Sequence, residues 1–275
     1  MERPGRYREL APPSGLAGLV RTLWIQSTGA DPAPQRHLPT GGFELHFPVG
    51  RIPRLVGPLT RAKVEILPPG LTVVGARFWP GVARRLLGVP ADELVDLVTS
   101  LDDISPDWSV LAARMAETSS DTAAVSLLQD ELLHRRLHTP PADCLVRAAV
   151  QRLMPWRPVG LLALTRDLSI SESQLRRRFQ SAVGVGPKAL QRTLRFQGYL
   201  ALAQSSNSAR RIADLAADAG YADHAHLSRE CLRLTARTPR ELLGEIEGLC
   251  RCDHDHAASY QAFLAARPRA VVRSS

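Results

Sequence analysis

Two stretches of this 275-residue chain carry arginine, small hydroxyls and histidine at helical spacing. In the first, Ser173, Arg176, Arg177 and Gln180 share one helical face, and Leu175, Phe179, Ala182 and Val183 form an apolar stripe opposite. In the second, His224, Ala225, Ser228 and Arg229 turn outward while Leu227, Cys231 and Leu234 turn inward. Such helices suit the DNA major groove, where arginine can hold guanine bidentately and serine is short enough to let the helix approach the base edges. Each helix N-terminus can also receive a phosphate. The stretches repeat at an offset of 52 residues, which matches Ser171 with Asp223, Leu175 with Leu227, Arg177 with Arg229, Pro187 with Pro239 and Leu190 with Leu242. Each copy reads as a short helix, a tight turn and a second helix capped by Ser171 or Asp223. One arginine-bearing helix is more simply a solvated face; two matched copies favour DNA reading.

Two other groups could do chemistry. Cys250, Cys252, His254 and His256 are four donors that zinc or copper would accept, although their alternate spacing is unlike structural zinc sites. Asp253 and Asp255 make the same tract read as a polar exit from the last helix. His37, Glu44 and His46 would form a second cluster if strands aligned them. No glycine-rich phosphate loop, nucleophile elbow or paired-carboxylate motif occurs, so no catalytic residue and no cofactor are expected.

The elements that must position these groups follow from composition and pattern. Residues 1–80 hold short apolar runs (19–25, 43–49, 52–56 and 71–78) separated by proline and glycine, the spacing of strands and turns. From Pro80 the pattern turns helical: Leu86, Leu87, Leu94, Leu97 and Val98, then Trp108, Leu111 and Met115, then Val125, Leu128, Leu132 and Leu133. Thr139-Pro140-Pro141 marks a linker. Residues 187–204 read as one helix of about 27 Å, at ~1.5 Å per residue, opened by Pro187. The expected fold class is therefore α+β. Residues 1–138 make a β-rich domain with trailing helices, 139–248 an all-α domain of two helix-turn-helix units joined by that helix, and 249–275 a tail. Net charge is +8, and 33 of the 35 basic residues are arginine. That skew fits a GC-rich genome, so position is more informative than the total. Residues 1–156 carry net +1 and residues 157–249 net +5, which places the excess in the helical half. No apolar run reaches the ~18 residues of a membrane helix, no signal peptide is visible, and four cysteines make no disulfide scaffold. A cytoplasmic protein is expected.

Residues 142–245 resemble the DNA-binding domain of the AraC/XylS family of transcription regulators. The stretches that carry this are Leu168-Ser169-Ile170-Ser171-Glu172-Ser173-Gln174-Leu175-Arg176-Arg177-Arg178-Phe179, Gly184 to Pro187, and Ile212 to Pro239 with Ala219-Gly220-Tyr221-Ala222-Asp223, Leu227-Ser228-Arg229 and Thr238-Pro239. The resemblance implies base-reading roles for Ser173, Arg176, Arg177, His224, Ala225, Ser228 and Arg229. Less specifically, Leu38-Pro39-Thr40-Gly41-Gly42-Phe43-Glu44-Leu45 and Val74-Gly75-Ala76-Arg77-Phe78-Trp79-Pro80-Gly81 resemble an uncharacterised β-rich domain often found ahead of such DNA-binding halves.

The implied partners are double-stranded DNA, a small-molecule effector in the first half, RNA polymerase if the protein activates, and a second copy of the chain. No membrane partner is expected. Three positions depart from the family. Cys231 replaces a core phenylalanine, Thr165 an alanine, and Ala236 a glycine, where a left-handed helix end would cost alanine about 1 kcal/mol. A metal- or thiol-responsive regulator using the Cys/His tail is one alternative. A DNA-repair methyl acceptor is another, but it needs a reactive cysteine cluster ahead of the helical half, where only Cys144 stands.

Overall fold

The computed structural model describes residues 5–156, 159–205, 211–249, 258–265 and 267, the side chains of 246–249 excepted. Eight strands form in the first hundred residues: β1 (Arg6–Leu10), β2 (Val20–Ser27), β3 (Ala33–His37), β4 (Glu44–Pro48), β5 (Arg54–Val56), β6 (Lys63–Leu67), β7 (Thr72–Phe78) and β8 (Val98–Ser100). Six build one antiparallel sheet in the order β1-β2-β7-β4-β5-β8, and β3 pairs with β6 as a separate ribbon.

Alternation along the strands sorts two faces. Leu23, Val74, Ala76, Phe78, Leu45, Phe47 and Leu55 face a core shared with α1 (Ala83–Leu87), α2 (Asp107–Ala116) and α3 (Asp121–His138). Trp108, Leu111, Leu128 and Leu132 seat α2 and α3 on the sheet, so the trailing helices pack against their own domain. Leu94, Leu97 and Val98 depart from the helical expectation: a 3-10 turn covers 91–94, and Val98 opens β8 against β5. Asp96, with φ of +56°, sits between them, a conformation no helix continues through.

The other face is unusual because it carries charge. The Arg77 guanidinium lies 2.9 Å from Glu44 and 3.2 Å from Glu9, binding β7 to β4 and to β1, and it donates to Ser259 Oγ at 2.7 Å. Ser259 belongs to the last described helix, α11 (Ala258–Ala265), whose backbone nitrogen there donates to Glu9 at 2.8 Å. Within the stretch expected as a tail, α11 therefore packs against the sheet. Phe263 of α11 is fully buried in the core of the helical half, and the Arg21 guanidinium stands 5.5 Å from its ring.

The remaining helices are α4 (Cys144–Arg152), α5 (Leu161–Asp167), α6 (Glu172–Val183), α7 (Pro187–Ser205), α8 (Ile212–Asp218), α9 (His224–Thr235) and α10 (Pro239–Leu249). They share a core centred on α7, whose Leu190, Leu194, Phe196, Tyr199 and Leu200 are inaccessible. Leu38 and Trp79 of the first half pack against this core, and Gln197 of α7 donates to the Pro39 carbonyl at 2.8 Å. Among the described residues no helix is long and apolar enough to cross a membrane.

Burial alone would raise the Glu44 pKa, but Arg77, reinforced by His46, holds it well below the usual carboxylate range. A depressed carboxyl adds stability that is complete above the ordinary pKa of ~4.3 and is lost as pH falls below it. Arg77→Met is expected to cost about 3–5 kcal/mol at pH 7, because it leaves Glu44 and Glu9 buried without their cation. Without the guanidinium, burial lifts the Glu44 pKa, so this group's contribution to the acid dependence changes sign. Urea unfolding of both proteins at pH 3.5 and 7 checks this: a variant losing as much stability on acidification as the parent contradicts it.

Candidate nucleic-acid interface

The two repeated units are built by α5 with α6 and by α8 with α9. Ser171 caps α6 in a reciprocal box: its hydroxyl accepts from the Gln174 N–H at 3.2 Å, and Gln174 Oε1 accepts from the Ser171 N–H at 3.0 Å. Asp223 caps α9, accepting from the His226 N–H at 2.6 Å. The repeat holds two registers. Helices α5 and α8 start at 161 and 212, 51 apart, whereas α6 and α9 start at 172 and 224, 52 apart. The extra residue lies in the second turn, where Gly220 takes the left-handed conformation three residues before the cap; Ser169 does so two residues before it in the first turn.

Leu175, Phe179 and Val183 bury one stripe of α6, and Leu227, Cys231 and Leu234 one stripe of α9. Opposite them, Ser173, Arg176 and Arg177 of α6 and His224, Ala225 and Arg229 of α9 are exposed; Ser228 is half-buried. Among the described residues no ion pair engages Arg176, Arg177 or Arg229. Their neighbour Arg178 is instead tied to Asp143, the α4 cap, at 2.6 Å. His226 is held locally, its ring 5.2 Å from Tyr221 and edge-on to it, so of the two histidines in the first turn of α9 only His224 is fully exposed.

Helices α6 and α9 are both anchored at their C-terminal ends by the first half of the chain. Arg84 of α1 donates to Ser181 at 2.9 Å, beside the end of α6. At the end of α9 the Ala62 N–H donates to the Leu234 carbonyl at 2.7 Å, and Arg36 of β3 donates to the Thr235 carbonyl at 3.2 Å and to Glu245 at 3.0 Å. Sequence reading had no signal for Arg36, because β3 has no apolar run.

The three departures from the family have structural answers. Thr165 is buried and donates to the Leu162 carbonyl at 3.0 Å. Cys231 is fully buried, and burial pushes its thiol up to about 12. Ala236 ends α9 in the left-handed region at φ +56°, at the place Gly184 holds after α6 with φ +87°. The tail residues Cys250, Cys252, His254 and His256 lie outside the described residues. For the other cluster, His37 and His46 do come together, with Glu65 as the third donor close to both; Glu44 gives one carboxylate oxygen to Arg77 and sets the other 3.4 Å from His46 Nε2.

Two helix-turn-helix units joined by a buried helix define a DNA-binding domain. Residues 164–245 match the family described as helix-turn-helix domain, and residues 8–100 match a domain of unknown function (DUF6597). The C-terminal part of this chain is thus an AraC-type helix-turn-helix domain, the DNA-binding unit of transcription regulators, preceded by a β-rich domain. No match was found among curated protein sequences. Among solved structures, ToxT from Vibrio cholerae O395 aligns over 90% of this chain and 98% of its own, with 12% identity and a TM-score of 0.46. The same protein bound to (E)-4-(8-methylnaphthalen-1-yl)but-3-enoic acid aligns over 88% and 98%, with 12% identity and a TM-score of 0.44.

Two outcomes test the local chemistry. Ala236→Gly is expected to stabilise the protein by about 1 kcal/mol, by relieving a left-handed alanine. Gly184→Ala should cost more than that, because its new Cβ would also meet the Ala91 carbonyl oxygen at 2.7 Å. Thermal unfolding of the pair checks both signs. In the native protein a thiol reagent should modify exposed Cys144 and spare Cys231; peptide mass mapping that finds Cys231 labelled as fast contradicts the burial.

Proposed function

We propose that this chain is a sequence-specific transcription regulator that reads two adjacent major grooves with α6 and α9. The observation that carries the reading is the matched pair Arg177 and Arg229, exposed at the same place on two capped helices whose opposite stripes are buried. Ser173, Arg176, His224, Ala225 and Ser228 complete the reading surface. The long helix α7 sets the separation of the two heads, and one DNA turn of ~34 Å is the spacing such heads need. Residues 1–138 act as the sensing or dimerising half and perform no catalysis. Their near-neutral charge supports this, as does the way they hold both reading helices from behind.

Footprinting of the full chain is expected to protect roughly 15–20 base pairs as two contact regions one turn apart, with binding that weakens steeply as salt rises. Arg177→Ala and Arg229→Ala should each lower discrimination between operator and random DNA by about 1–3 kcal/mol, the worth of a bidentate base contact. Variants that keep full specificity and lose only general affinity would reassign these arginines to phosphate. A single short footprint would remove the two-groove reading.

A further inference from the structure

The β3–β6 ribbon breaks the pattern of an ordinary amphipathic strand pair. Along β6, apolar Val64 and Ile66 are 53% and 65% exposed, whereas charged Glu65 between them points inward. A strand that turns its carboxylate in and its β-branched side chains out has given up burial energy for some other purpose. What Glu65 meets inside is His37 of β3 and His46 of β4: one donor atom from each of the three lies within 4.8 Å of the others. The His37 Nε2 to Glu65 Oε1 distance is 2.8 Å, and the two imidazole rings stand 5.2 Å apart.

We propose that His37, His46 and Glu65 form a binding site for a borderline divalent transition ion of the zinc class. Two imidazoles and one carboxylate are a known zinc donor set, with bonds of about 2.0–2.2 Å. In a tetrahedral site those bonds put donor atoms about 3.4 Å apart, within reach of the present spacing by side-chain shifts on the order of 1 Å. The surroundings are those of a ligand site. Glu44 lies 3.4 Å from His46 Nε2 and can orient that ring as an outer carboxylate. The Trp24 ring stands edge-on to His46 at 4.8 Å, in space that exists because position 75 is glycine; a Cβ there would meet the Trp24 ring at 2.2 Å. Arg54, paired with His46 across the strands, lies 2.9 Å from Glu65. Its Nη2 stands at that distance from both carboxylate oxygens, and a carboxylate has lone pairs enough to keep the guanidinium and still bind a metal.

The site also has a route to the DNA-binding half, and this part rests on the function proposed above. The ribbon supplying His37 and Glu65 also supplies Arg36, whose guanidinium grips the end of α9 through the Thr235 carbonyl and holds α10 through Glu245. The metal draws β3 and β6 toward β4, and so shifts the contact that fixes the second reading helix.

The test uses the full chain with zinc alone as probe. It is run on the parent and on a variant with Cys250→Ser, Cys252→Ser, His254→Gln and His256→Gln, which removes the tail donors. The tail variant is expected to keep one zinc equivalent by calorimetry, and to bind cobalt with a visible spectrum lacking thiolate charge transfer. His37→Gln and Glu65→Gln, neither fully buried, should each weaken zinc binding at least ~10-fold while circular dichroism stays unchanged. Zinc binding lost with the tail alone, or retained in both ribbon variants, overturns the site. Zinc should change operator affinity by at least ~5-fold in a gel shift, and Arg36→Ala should abolish that response. Zinc bound at the ribbon with unchanged operator affinity overturns the coupling and leaves the site. Loss of all DNA binding would instead count against the regulator reading, since calorimetry and cobalt spectra need no DNA.

Discussion

The arrangement rests on one constraint: the outer face of the sheet carries charges that cannot be left in a half-dry environment. Arg77 sits on the sheet's long central strand with Glu44 and Glu9 against it, and such a triad is tolerable only when its hydrogen bonds are complete and something seals it. The sheet's own helices cannot serve, because they occupy the opposite face. The seal comes from two places. At one end α11 lays Ser259 on the cluster, and at the other the β3–β6 ribbon folds over Trp24 and His46.

That covering ties the two halves to each other. Helix α11 lies against both α7 and the sheet, so the helix joining the two helix-turn-helix units shares a core with a helix bound to β1. Helices α6 and α9 are held at Ser181 and at Thr235, and their capped N-terminal turns are left exposed. Such an arrangement fixes the direction in which each helix can approach a duplex without occupying any residue proposed to touch it.

Much of this is legible in the sequence. The repeat, both helix caps, the buried and exposed stripes, the joining helix and the left-handed end at Ala236 all follow from local chemistry, which sequence spacing records directly. Four strands were not legible. β1 reads Arg-Tyr-Arg-Glu-Leu and has no apolar run, since its inward groups are Glu9 and Tyr7. β3 has no apolar run, β6 alternates the wrong way round for a solvent-facing strand, and three-residue β8 is too short to show a period. Glu65 could not join His37 and His46 for the same reason: without β6 paired to β3, nothing in the chain places residue 65 beside residue 37. The role of α11 was missed because its value lies in partners about 250 residues away.

That last separation has a kinetic consequence. Ser259 closes on Glu9 across 250 residues, so the earliest strand and the latest described helix complete one another. At the usual ~5–20 residues per second, the ribosome needs on the order of 12–50 s to make the intervening chain. Once α2 and α3 have been made the nascent sheet can bury its apolar face on them, but the part of its charged face that α11 covers stays wet until that helix follows. The final locking of β1 therefore waits until residue 259 has been made, and the N-terminal half acquires its finished form only after both α6 and α9 exist.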